Sequence, residues 1–242
     1  MKICVAQTKP IAGDIQSNID GHKKLLDLII AYGADIIIFP ELSLTGYEPK
    51  LSKKLATNQN DYRLDDFQII ADAKQVTIGV GIPIRDNENV YIGMVIFQPY
   101  KTRQTYSKQY LHSDEEEFFV RGQNFIGLMG NKANIALAIC YELSVPEHSE
   151  QAFSSGAEIY IASVAKSASG VDQATKRLSE IATKYSMTVF MSNCLGPSDD
   201  FESIGKTAVW NEKGLLLAQL NDANEGFIIF DTDSKELIEK MI

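Results

Sequence analysis

Apolar residues along this chain fall into two rhythms: short continuous runs, and longer stretches in which they recur every three or four positions. The first is the pattern of buried strands and the second that of amphipathic helices. Residues 2–6 predict a strand. Ile15 to Tyr32 predicts a helix with Ile19, His22, Leu25, Leu26 and Ile29 on one face and Gly33 placed to stop it. Asp35 to Phe39 predicts a second strand. Its run Ile36, Ile37, Ile38, Phe39 is continuously apolar, as expected of a strand covered on both faces, and Pro40 ends it. A second helix is expected near Tyr62 to Lys74, with Phe67, Ile70 and Ala71 on one side. Strands follow at Val76 to Val80, Val90 to Phe97 and Arg103 to Ser107, and Asp86, Asn87 and Asn89 supply the turn chemistry for an antiparallel meander.

Residues 108–125 carry little periodicity, after which Asn134 to Ile139 forms a buried strand that ends at Cys140, and Pro146 stands where it can open a helix. The later part repeats the rhythm. A strand is expected at Glu158 to Ser163, a helix at Asp172 to Tyr185 and a strand at Thr188 to Ser192. Further strands are expected around Thr207 to Trp210, Leu215 to Gln219 and Phe227 to Asp231, with a terminal helix from Ser234. Strands alternating with helices, plus antiparallel hairpins, predict a layered α/β architecture with mixed sheet inside and helices outside.

Composition narrows the picture. A chain of 242 residues, 45% hydrophobic and 23% charged, can bury a substantial core as one domain over 1–242, and shows neither a fixed-period repeat nor a low-complexity linker. The formal charge of −9 comes without a local basic patch, which argues against nucleic acid or an anionic membrane as partner. Three cysteines, Cys4, Cys140 and Cys194, are odd in number and widely spaced, which fits a reducing compartment better than a disulfide framework. No apolar run approaches the roughly 18 residues needed to cross a bilayer, and no signal-peptide pattern opens the chain. A soluble cytoplasmic protein is the expectation.

Three segments end an apolar strand with a reactive side chain: Phe39-Pro40-Glu41-Leu42, Tyr106-Ser107-Lys108, and Ala138-Ile139-Cys140-Tyr141-Glu142. Ligands of open α/β sheets bind beyond the carboxyl ends of strands, so a Glu, a Lys and a Cys delivered there could meet. Taken singly, each has a plainer explanation. A cysteine after an apolar strand is more often a small buried hydrophobe, a Glu after Pro a surface residue, and an edge lysine a solvated one. A nucleophilic thiol needs a cation or a base. The histidines are poorly placed for it: His22 on a helix face, His112 in an irregular stretch and His148 near a helix start. Glu41, desolvated among Ile, Phe and Leu, is the alternative base. Lys108 would then hold a developing oxyanion.

In order and spacing these segments resemble the carbon-nitrogen hydrolase family, the nitrilase superfamily, in its amidase-like branch. The resemblance rests on Phe39-Pro40-Glu41-Leu42-Ser43-Leu44-Thr45-Gly46-Tyr47, on Tyr106-Ser107-Lys108 with Leu111, and on Ile139-Cys140-Tyr141-Glu142-Leu143 with Pro146-Glu147. Ser192-Asn193 with Gly196, Gly205-Lys206-Thr207 and Gly214 add to it, and it runs from Met1 to about Asp231.

The resemblance implies a four-layer α-β-β-α sandwich with mixed central sheets. It implies a triad of Glu41, Lys108 and Cys140, and a second glutamate that positions the lysine and substrate. Spacing back from Gly122 selects Glu115 for that role, with Glu116 and Glu117 one or two residues away. Tyr47, Tyr141, Glu142, Ala165 and Lys166 are the expected substrate-binding residues, with Lys166 or Arg121 as an anchor for a substrate carboxylate. No cofactor and no metal is implied. His112 and the carboxylates of residues 114–117 are adjacent in a loop and cannot all turn to one point. The implied partner is a small amide or N-carbamoyl substrate, and the implied assembly a homodimer or larger. Segments 163–170 and 180–185 depart from the family pattern. A second class, a ligand-binding or assembly protein that keeps the fold without turnover, is distinguished by thiol labelling of Cys140. A redox pair of Cys140 and Cys194 lacks the Cys-x-x-Cys spacing.

Overall fold

Strand β1 (Lys2–Gln7) sends Ile3 and Val5 to one side and Cys4 and Ala6 to the other, and each pair joins a different core. This division organises the whole molecule. The computed structural model describes residues 1–123 and 134–242; residues 124 and 125, the end of the aperiodic stretch, lie outside them. Strands and helices are numbered in chain order.

The first sheet has seven strands: β1, β2 (Ile36–Ile38), β3 (Thr77–Asp86), β4 (Asn89–Phe97), β5 (Gln104–Ser107), β13 (Gly226–Asp231) and β14 (Leu237–Met241). Their spatial order is β14-β13-β1-β2-β3-β4-β5. β1, β2 and β3 run parallel, and every other pairing is antiparallel. The second sheet contains β6 (Ile135–Ile139), β7 (Ile159–Val164), β8 (Thr188–Asn193), β11 (Ala208–Trp210) and β12 (Leu216–Gln219), in the order β12-β11-β8-β7-β6. Its strands β6, β7 and β8 are parallel, as the continuously apolar runs predict, and β11 and β12 are added antiparallel.

Ile3, Val5, Ile36, Ile38 and Met94 of the first sheet pack against Ile135, Leu137, Ile161 and Phe190 of the second, forming a central core. On the outer face of the first sheet, Ile37 and Phe39 meet Ile19 and Leu26 of α1 (Ile15–Ala31) and, after the one-turn α2 (Ser52–Leu55) in the chain, Phe67 of α3 (Asp65–Lys74). On the outer face of the second, Ala138 and Tyr160 meet Ala152 of α4 (Pro146–Ser154) and Leu178 and Ile181 of α5 (Ala168–Tyr185). The result is the four-layer α-β-β-α sandwich with mixed sheets.

Two hydroxyls bind the sheets together at the end where the site lies. Ser163 Oγ donates to Phe39 O at 2.9 Å, and Ser192 Oγ lies 2.6 Å from Ala6 O and 3.1 Å from Ile38 O. Buried hydroxyls so paired avoid the cost of an unmade hydrogen bond.

Two expectations need correction. The segment after Ser234 is a turn followed by β14, antiparallel to β13, and not a helix. Without it the outer row of β13 N–H and C=O groups would be unpaired, and that open edge outweighs the local helical pattern. α5 starts at Ala168, ahead of the expected Asp172, because Ser167 is extended and hands a clean start to Ala168-Ser169-Gly170. A hairpin of β9 (Leu195–Ser198) and β10 (Phe201–Ile204) was not anticipated; Asp199, at φ +48°, makes its turn.

Candidate active site

The loop that leaves β2 carries Glu41, and its path is set by close packing on β3. A Cβ at Gly81 would stand 2.4 Å from Leu42 N and 2.5 Å from Pro40 O, so only glycine lets the loop approach. Leu44 N–H then donates to Gly81 O, and Ser43 Oγ is held by the buried ring of His22 at 2.9 Å. Fixed in this way, Glu41 turns inward and is 1% exposed.

Lys108 leaves β5 with its N–H on Ile92 O and its C=O accepting from Gly122 N–H at 2.7 Å. A Cβ at Gly122 would meet Ser107 O at 2.4 Å, so this clasp also needs glycine. The fully buried ammonium lies 2.9 Å from Glu41 Oε1 and 2.6 Å from Glu115 Oε1. Glu115 accepts in addition from Tyr47 Oη at 3.0 Å and from His112 N–H at 2.9 Å. Glu116 turns outward to Arg121, and Glu117 is exposed. Glu115 is therefore the member of the acidic run that reaches Lys108. The His112 ring pairs with Asp114 at the surface, whereas the Glu115 carboxylate is buried.

Cys140 begins a short 3₁₀ turn, Cys140–Ser144, directly after β6, with φ +45°. A left-handed non-glycine residue costs about 1–3 kcal/mol and persists where the surroundings over-determine it. The partly buried Sγ lies 3.8 Å from Ala165 O and also contacts Glu41. Ala165 N–H donates to Glu41 Oε2 at 3.1 Å, so one peptide segment after β7 touches both the base candidate and the thiol.

Burial raises the Glu41 carboxyl above the usual range, opposed by Lys108 and reinforced by Glu115. Burial alone would lower the Lys108 ammonium, but Glu41 and Glu115 outweigh it and raise its pKa, so it stays charged. The Cys140 thiol is pushed up to about 11 by burial and by Glu41, while Lys166 and Lys108 pull the other way. Cys140 is thus a thiol at neutral pH, waiting beside a carboxylate. Burial, with Glu115 and Glu41, keeps the Tyr47 phenol neutral.

The remaining predicted residues divide. Ala165 contacts the site through its main chain. Lys166 follows it, and the buried Asn193 side chain grips its backbone on both sides: Lys166 N–H donates to Oδ1 at 2.9 Å and Nδ2 donates to Lys166 O at 3.2 Å. The Tyr141 ring is 36% exposed and packs edge-on to His112, and its N–H lies in the first turn of the 3₁₀ segment, where it has no partner within the helix. Glu142 is a correction. It is fully buried, and both its oxygens are occupied by protein donors, which removes it from substrate contact. In the sequence Asn193 stands only in a motif and Ser163 only in a divergent segment; their hydrogen bonds arise because β7 and β8 are adjacent and the sheets face each other.

The chain matches the carbon-nitrogen hydrolase family model over residues 2–240 and belongs to that family. It is 24% identical to the glutamine-dependent NAD(+) synthetase of Thermotoga maritima over 98% of its own length but only 42% of that protein's. It spans less than half the length of such relatives. With the 2-oxoglutaramate amidase of Bacillus subtilis it shares 26% identity over 85% of this chain and 81% of the relative. Among solved structures, an amidase from Nesterenkonia sp. AN1 superposes with a TM-score of 0.87 at 22% identity, covering 97% of this chain and 94% of that one. Among the described residues, no helix is long and apolar enough to cross a membrane.

Proposed function

We propose that this carbon-nitrogen hydrolase cleaves small non-peptide amides or N-carbamoyl compounds through a thioester on Cys140, with Glu41 as general base and Lys108 as oxyanion donor. The observation that carries the reading is the buried array in which Lys108 is shared by Glu41 and Glu115 beside the Cys140 thiol. An ammonium has three N–H bonds. Two of them are directed to carboxylates here, which leaves the third for a substrate oxygen.

A thiol with a pKa of about 11 does not ionise ahead of the reaction, so proton transfer to Glu41 accompanies attack of Sγ on the carbonyl carbon. The carbonyl π electrons move to oxygen, and Lys108 and the Tyr141 N–H hold the resulting charge. Such donors are typically worth about 2.7–4 kcal/mol each. Glu41 passes its proton to the leaving nitrogen as the C–N bond breaks, and ammonia or an amine departs. Glu41 then accepts a proton from water as its oxygen attacks the thioester, and the proton returns to sulfur as the acid is released. Glu115, held by Tyr47 and His112 N–H, positions Lys108 throughout. Lys166, the cation that acts on the Cys140 thiol from the second sheet, is the anchor for a substrate carboxylate; the amidase relative named for 2-oxoglutaramate supports an amide of that kind.

A panel of plain amides, carboxylate-bearing amides and N-carbamoyl amines, assayed for ammonia release, tests this reading. Turnover of at least one class is expected, and Cys140→Ala should reduce it by about 10³-fold or more. Full activity in Cys140→Ala on a verified substrate would overturn the scheme. Lys166→Met should raise KM for carboxylate-bearing amides by more than for plain amides, and an equal effect on both classes would remove Lys166 as the anchor.

A further inference from the structure

Glu142 is the buried carboxylate for which the proposed mechanism has no use, and its contacts join the two parts of the reactive site. Its Oε1 accepts from the N–H of Gln109, the residue after Lys108, at 2.5 Å. Its Oε2 accepts from the N–H of Ile139, the residue before Cys140, at 2.7 Å. One side chain therefore spans the main chain that delivers the lysine from the first sheet and the main chain that delivers the thiol from the second.

Behind it stands a row of side chains whose protons run one way. Tyr106 Oη donates to Glu142 Oε2 at 2.7 Å and lies 2.9 Å from His148 Nε2. The phenol has a single proton, already given to Glu142, so it accepts from His148 Nε2–H. His148 Nδ1 is then the bare nitrogen and accepts from Tyr160 Oη at 2.8 Å. This tautomer follows from the network, and burial, which lowers the His148 pKa to about 4, keeps the ring neutral as the row requires. Tyr110 packs edge-on to the same ring, and the Lys108 charge also acts on the carboxylate, lowering its pKa. Tyr160, Tyr106, Gln109 and Ile139 thus come from β7, β5, the Lys108 loop and β6, and all their hydrogens lead to Glu142.

We propose that Glu142 is a positioning residue, a cross-brace that sets the distance between the Lys108 and Cys140 main chains, with Tyr106, His148 and Tyr160 as its backing. The inference rests on the reading of Lys108 and Cys140 as reacting groups. It differs from a purely stabilising role in what it costs when broken: an offset of about 1 Å between reacting groups lowers turnover about a hundredfold without weakening substrate binding to match.

Glu142→Gln keeps the length and retains a carbonyl for Ile139 and Tyr106, but turns an N–H toward Gln109 N–H. At pH 8, kcat per folded molecule should fall about a hundredfold while KM stays within about threefold. Hydrogen exchange of the Ile139 and Gln109 amides, both donors to Glu142 in the wild type, should quicken together in the variant. That second readout needs no substrate, so failure of the brace is distinguishable from failure of the amidase reading, which would show as no turnover by wild type on the whole panel. A kcat within about threefold of wild type overturns the proposal, as does a loss of kcat that only tracks the folded fraction, or exchange of the two amides that is unaffected. Should Glu142→Gln not accumulate as folded protein, Tyr106→Phe removes one backing donor and decides the matter: about a tenfold drop in kcat at constant KM is expected, and unchanged kcat overturns the brace.

Discussion

Cys140 sits at φ +45°, in a region where its Cβ crowds the following carbonyl and where glycine rests without cost. The turn must reverse sharply after β6 to expose Sγ, and the strain is the consequence. Two variants that lack the thiol separate backbone from chemistry. Cys140→Gly should be more stable than Cys140→Ala by about 1 kcal/mol in denaturant melts, because only glycine relieves the left-handed conformation. Equal midpoints would place the strain elsewhere. Glu142 carries a second residue-level consequence. Burial raises its pKa from 4.5 to about 7, although Tyr106, Ile139 and Gln109 donate to it. The folded chain therefore retains a proton that the unfolded chain has released. Its contribution to stability is complete below about pH 4.5 and is lost as the pH rises through about 7, a difference of about 3 kcal/mol. The gap in unfolding free energy between wild type and Glu142→Gln, followed by urea melts from pH 4.5 to 8, should narrow or invert across that window, and a constant gap would contradict the raised pKa. The carboxylate form that braces the site is thus the less stable one.

At the scale of elements, the site was legible where a strand ends. Glu41 and Cys140 each follow an apolar run broken by a polar side chain, Lys108 follows the short strand Gln104–Ser107, and such punctuation marks a strand's carboxyl end irrespective of the fold around it. What the sequence could not reveal is cross-chain pairing. Ser163 with Phe39, Asn193 with Lys166 and His148 with Tyr106 are hydrogen bonds between segments that no period relates. Glu142 was misassigned for a related reason. Standing two residues from Cys140 suggests a shared direction, yet the turn at Cys140 sends the intervening Tyr141 outward and Glu142 inward. β14 was missed because its pattern is ambiguous and only the open edge of β13 selects the strand. The loop bearing Glu41 offers the sharpest test at this scale. Gly81→Ala would press a methyl onto Leu42 N and Pro40 O, which should cost about 1–3 kcal/mol of stability. It should also lower kcat about a hundredfold by displacing Glu41, as judged by melts and by turnover on any active amide. Wild-type turnover in Gly81→Ala would show that the loop is not registered by this contact.

For the whole molecule, the arrangement that matters is the division of the site between the two sheets. Glu41, Lys108 and Glu115 extend from the seven-stranded sheet, whereas Cys140 and Ala165 extend from the five-stranded one. The first sheet is itself completed late, since β13 pairs with β1 and β14 with β13. Contacts as distant in sequence as those of β1 with β13 form slowly. Ser163 and Ser192 then fasten the sheets at the end nearest the site. Under the proposed mechanism the architecture works as an interlock: Cys140 and Glu41 belong to different leaves of the sandwich, and a chain that has folded only one of them has no base beside the thiol to turn it on its neighbours.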